Sequence, residues 1–182
     1  MKRSNAFVTA VGCATALLLA ATPVRAAEPA APATGFQIPR ALATEHHELH
    51  EELAKVLQSG GKTGTAAEAV AKLLHPHFVK EEEFALPPLG LLSRLAAGTV
   101  TAEMGNVTSM TDKLKADLPQ MLAEHQAIVG ALQDLIAAGK AEKKPEAVRF
   151  AEQLQLHAQN EEQVLYPAAM LVGEYVRLRL SK

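Results

Sequence analysis

His77 stands four residues before Glu81, and His157 stands four residues before Glu161. Residues four apart share one face of a helix, so each pair can present an imidazole and a carboxylate to the same point. Two further histidines, His46 and His125, each follow a glutamate and precede Leu49 or Ile128 by three residues. The helical neighbours of all four are apolar: Val70, Leu73, Leu74 and Phe84 beside His77, and Phe150, Leu154 and Val164 beside His157. Leu42, Leu49 and Leu53 flank His46, while Met121, Ile128, Val129 and Leu132 flank His125. Four imidazoles and two carboxylates are therefore expected inside a hydrophobic core. An ionised carboxylate there costs several kcal/mol unless it is paired or metal-bound. The nearest base, Lys80, sits at the edge of its helix face, within reach of water. The simple solution is two divalent cations, each with imidazole ligands, bridged by Glu81 and Glu161. Imidazole with carboxylate suits iron, manganese or zinc. Two carboxylates only partly balance two dications, so water, hydroxide or an exogenous anion should complete the site and leave room for a small ligand.

The elements that must hold these residues repeat. Glu45-His46-x-x-Leu49 returns as Glu124-His125-x-x-Ile128 at an offset of 79, and His77…Glu81-Glu82…Pro87 returns as His157…Glu161-Glu162…Pro167 at an offset of 80. Helical periodicity and Gly or Lys/Pro breaks predict helices over about Arg40–Gln58, Ala66–Leu86, Ser109–Ala138 and Pro145–Leu180. The second is expected to bend or break at Pro87-Pro88 and resume over Leu89–Ala96, with kinks or interruptions at Pro76, Pro119 and Pro167. No convincing alternating strand is present. The predicted fold is all-α: an antiparallel up-down four-helix bundle with an internal pseudo-twofold helical-hairpin repeat, over residues 38–182.

The 182 residues suit one domain, and 48% hydrophobic content excludes intrinsic disorder. A single Cys excludes an internal disulfide, a multi-Cys zinc site and an iron–sulfur cluster. Residues 1–26 carry a basic start at Lys2-Arg3, an apolar run from Ala6 to Ala21 and small residues around Arg25, the pattern of a secretory signal. Cleavage there would also remove Arg25, leaving 15 basic against 20 acidic side chains, a net charge of −5. That balance argues against a nucleic-acid partner and against membrane insertion after cleavage. The expected location is exported, periplasmic. Residues 27–37 are Ala/Pro-rich and read as a tether.

Glu45-His46-x-x-Leu49, His77-Phe78-x-x-Glu81-Glu82…Pro87, Glu124-His125 and His157-x-x-x-Glu161-Glu162…Tyr166-Pro167 together resemble the four helix signatures of the hemerythrin-like, or HHE cation-binding, family across about residues 38–170. The resemblance implies a four-helix bundle with a non-haem, oxo- or hydroxo-bridged di-iron centre. It implies ligands at His46, His77, His125 and His157, bridges at Glu81 and Glu161, and binding of O2, NO or peroxide. The chain departs from the oxygen carriers of that family, which use five His and one Asp: Met121 and Val129 flank His125 at four residues, and Glu161 replaces the Asp. His50, four after His46, is a candidate either for the missing imidazole or for a supporting, partly exposed position, while Glu82 and Glu162 are candidates for ligand support. His47, His75 and Tyr166 are read as surface or packing residues.

Other metal motifs are absent from the sequence. Ferritin-like bundles need Glu three before His, where this chain has Ala43, Leu74, Leu122 and Leu154. His47-Glu48-Leu49-His50 is one residue too short for a zincin. Three functions follow: small-molecule binding without turnover, a peroxide- or NO-decomposing enzyme, and a metal-trafficking or sensory module.

Overall fold

The computed structural model describes residues 36–182; the signal expected over 1–26 and most of the tether lie outside them. The described residues form a helical bundle without strands. α1 runs Arg40–Leu57, α2 Gly61–Lys80, α3 Leu92–Ala96, α4 Val107–Ala141, α5 Pro145–Asn160 and α6 Tyr166–Leu180. A π turn, Glu81–Ala85, continues α2, and a second, Glu161–Leu165, joins α5 to α6. α4 packs against α2, α5 and α6, and α1 packs against α2 and α5.

Local chemistry accounts for the boundaries. Gly60 and Gly61 take φ of 64° and 62°, a region unfavourable to residues with a Cβ, and turn the chain between α1 and α2. Pro145 opens α5, where a missing N–H costs nothing. α2 and α4 stay helical through Pro76 and Pro119. At Pro87 the α-helix stops, giving a 3-10 turn over Pro87–Leu91 and then α3, as the sequence pattern anticipates. At Pro167, by contrast, the helix continues, because the proline falls in the first turn of α6 after the π turn.

Two apolar clusters sandwich one polar layer. The first includes Leu49, Leu53, Leu74, Phe78, Ile128, Leu132, Phe150 and Leu154. The second includes Phe84, Leu86, Leu114, Met121, Tyr166 and Ala169, with Leu42 packed against it. Each of His46, His77, His125 and His157 lies along its helix between residues of the first cluster and residues of the second.

Two expected core residues are not buried. Leu73 is 37% exposed, because it sits nearly a quarter-turn from the centre of the face defined by Val70, Leu74, His77 and Glu81. Val164 is 54% exposed. Its counterpart Phe84 is buried where the first π turn packs under α4, whereas the second π turn touches chiefly its own flanking helices. At the other boundary, Phe36, assigned to the tether, packs against the cluster of Leu91, Leu95, Met104, Val107, Val172 and Val176. Among the described residues, no helix is long and apolar enough to cross a membrane.

Candidate metal centre

The bundle brings His46, His77, Glu81, His125, His157 and Glu161 into one layer, each at most 3% exposed. Their ligating atoms form two groups, His46–Glu81–His157–Glu161 and His77–Glu81–His125–Glu161, within 4.8 Å in each. Both carboxylates belong to both groups, and each divides its oxygens between them. Glu81 Oε1 lies 3.2 Å from His77 Nε2 and 3.9 Å from His125 Nε2, while Oε2 lies 3.9 Å from His46 Nε2. Glu161 Oε1 lies 3.5 Å from His46 Nε2 and 3.1 Å from His157 Nε2, while Oε2 lies 3.4 Å from His125 Nε2. In the second group His77 Nε2 and His125 Nε2 are 2.7 Å apart.

Every imidazole turns Nε2 inward and Nδ1 outward to a partly exposed carboxylate. His77 Nδ1 and His125 Nδ1 donate to Glu124 and Glu162, each at 2.9 Å, and His46 Nδ1 reaches Glu82 at 3.3 Å. His157 Nδ1 lies 3.1 Å from Glu45 without hydrogen-bond alignment. A carboxylate at Nδ1 keeps the proton on that nitrogen and leaves the Nε2 lone pair for a cation.

The electrostatics reflect two crowded carboxylates among four imidazoles. Burial and the neighbouring Glu161 raise the Glu81 carboxyl above its ordinary range, against the pull of His77. Burial also pushes Glu161 upward, but His125, His157 and His46 outweigh it and hold Glu161 well below that range. Burial pulls the His157 imidazole down, yet Glu161, Glu81 and Glu45 outweigh it and lift it to about 9. His46 and His77 are raised by the same balance. Glu124 is pushed up by burial but held at about 2 by His77, Lys80 and Gln120.

Buried atoms left without hydrogen-bond partners test whether these residues suit a cation. Among the described residues there are five such atoms: His46 Nε2, His157 Nε2, Glu81 Oε2 and Glu161 Oε1 belong to the first group, and the fifth, His157 Nδ1, faces outward to Glu45. Four orphaned donor atoms aimed at one point are costly unless something positively charged is shared among them. The residues therefore fit a cation.

A model of the hemerythrin HHE cation-binding domain matches residues 37–169. The chain belongs to the hemerythrin HHE cation-binding family. Cation binding is the property this HHE domain carries with that membership, and the buried His/Glu groups are where a cation could sit. No curated protein and no solved structure matches the chain.

Other expected residues fall outside the layer. His50 does not reach it: its ring stacks on His75 at 5.4 Å and meets the edge of Phe78 at 5.0 Å. Four residues along α1 place it about 6 Å further down the axis, and Phe78, stacked on His46 at 4.3 Å, stands between. Burial and His75 lower its imidazole. Val129, its repeat counterpart, is only half-buried. Glu82 and Glu162 orient His46 and His125 and are absent from both cation groups. His47 is exposed and pairs with Glu51.

Sequence reasoning missed three residues. Glu45 and Glu124 precede His46 and His125 by one residue and so turn away from them, but each reaches a histidine on a neighbouring helix. Their recurrence in the repeat was the available signal. Tyr166, fully buried, donates its hydroxyl proton to Glu81 and lies within 3.5 Å of His77 Nε2 and His125 Nε2. Burial and both carboxylates push its phenol upward. Five residues after Glu161, an α-helix would place it roughly 140° away. The π turn, closed by Tyr166 N–H donating to Glu161 O, brings it back.

Proposed function

We propose that this HHE domain holds two iron ions, one in each His/Glu group, bridged by Glu81 and Glu161, and that it binds O2 or a related small molecule such as NO or peroxide. The observation that carries the reading is the division of each carboxylate's oxygens between the two histidine pairs. Manganese or zinc would satisfy the same donors; iron is favoured by family membership. When bound, such a centre supplies redox-active ions with positions for an exogenous ligand. The chain's own part is to hold imidazoles in the metal-binding tautomer and to exclude water with the two apolar clusters.

Complete burial of all six ligands speaks for a resident centre over an exchangeable trafficking site. The order in which each helix passes the two apolar clusters supports the antiparallel up-down arrangement and the helical-hairpin repeat. The pattern over residues 1–26 supports export to the periplasm.

Metal analysis of the purified chain, with an ultraviolet–visible spectrum before and after air exposure, tests the reading. About two irons per chain with oxo-bridge absorption after air is the expected result. A chain that neither carries nor takes up metal overturns it. Turnover assays with peroxide and NO separate simple binding from catalysis.

A further inference from the structure

We propose that Tyr166 Oη is a protein ligand to the ion held by His77 and His125, so that the two cation positions are chemically unequal. The inference rests on the two-cation reading above. Ligands at about 2.0–2.2 Å from an ion stand about 3 Å from their neighbours in the coordination shell. Tyr166 Oη is 3.5 Å from His77 Nε2, 3.4 Å from His125 Nε2 and in hydrogen-bond contact with Glu81 Oε1. It thus occupies a vertex around the same point as those three atoms. The ring is fixed by stacking on His125, with centroids 5.7 Å apart and planes 15° off parallel. Its backbone is fixed as well, since its N–H closes the π turn onto Glu161 O.

The other half of the repeat lacks this group. Leu86 stands 80 residues earlier, is fully buried and closes its own π turn with N–H donating to Glu81 O at 2.8 Å. The backbone device is the same, but leucine has no donor atom. The ion held by His46 and His157 therefore has one protein ligand fewer, and the exogenous molecule is directed to that ion. Formation of the Oη–metal bond releases the phenol proton to buffer, and no electron is transferred.

Ferric iron loaded into the full chain tests this directly. The wild type should show phenolate-to-ferric charge-transfer absorption in the visible and tyrosinate ring modes in resonance Raman spectra. Tyr166→Phe should lose both signals while still binding two ferric ions. Tyr175→Phe, at the chain's other tyrosine, should keep them. Two bound ferric ions without tyrosinate modes in the wild type would overturn the proposal, as would modes that persist in Tyr166→Phe. The wild-type spectrum decides the matter even if Tyr166→Phe does not fold. A chain that takes up no ferric iron fails the two-cation reading instead, which is a separate result.

Discussion

The two sides of the centre share a plan and differ in finish. On the His46/His157 side, the outward nitrogens face Glu82 at 3.3 Å and Glu45 at 3.1 Å, the latter without alignment, and the inward nitrogens have no hydrogen-bond partner. The neighbouring ring is Phe78, which is apolar. On the His77/His125 side, both outward nitrogens make 2.9 Å hydrogen bonds. There Glu124 is itself held by Lys80 and Gln120, and Tyr166 adds a phenol. Positions that match in the repeat thus carry Lys80 against Asn160, and Leu86 against Tyr166. The repeated residues set where cations could sit; the unrepeated ones give one side more hydrogen bonds than the other.

The strongest way to break this comparison is through what the sides share. Glu81→Ala or Glu161→Ala should take metal content from about two ions per chain to none, because each carboxylate serves both groups and uncompensated ligands remain in the core. One ion retained in either variant, by metal analysis, would refute shared bridging. Single-sided changes should cost half as much: His157→Ala or His77→Ala should each leave about one ion. Loss of both ions from either would show that the sides fill as a unit.

Thermal melts of loaded and chelated protein give the next effect. A histidine with a raised value, such as His157 at about 9, stabilises the metal-free fold fully below 6.5, its ordinary value. That contribution fades as pH rises through about 9, while a cation gains access to the deprotonated nitrogen. The difference in Tm between loaded and metal-free protein should therefore widen from pH 6.5 to about 9. A constant or shrinking difference would contradict the ligand role of His157. The smallest effect concerns the outer carboxylates. Glu124→Gln should weaken metal binding by about 10–100-fold, and Glu45→Gln by less, since Glu124 is more buried, better aligned and buttressed. Equal losses in metal titrations would erase the distinction between the sides.

The buried His/Glu layer was legible in the sequence because helical spacing and a repeated pattern both report it. His46, His77, Glu81, His125, His157 and Glu161 needed only period and recurrence to be grouped, and the structure brings them together. The helix spans were legible within a few residues, apart from the second, which begins at Gly61, five residues before its expected start. Of the two readings of His50, the structure keeps the partly exposed one, because sharing a face says nothing about height along the axis. Tyr166 escaped because a π turn changes the residue count per turn, and no residue type announces one; Val164 escaped because its π turn packs chiefly on its own flanking helices, which spacing within one helix does not report. Glu45 and Glu124 escaped for a different reason: their partners lie on other helices, and periodicity within one helix is blind to them.

The outward-facing nitrogens have a consequence for how so enclosed a centre can change state. Glu45, Glu82, Glu124 and Glu162 are 37%, 48%, 23% and 37% exposed, and each touches an imidazole that is almost wholly interior. Were a cation held in the layer to change valence, the change would be transmitted to four spots on the outer skin. Solvent and mobile ions can answer it there, so electrical neutrality is restored while the helices stay shut.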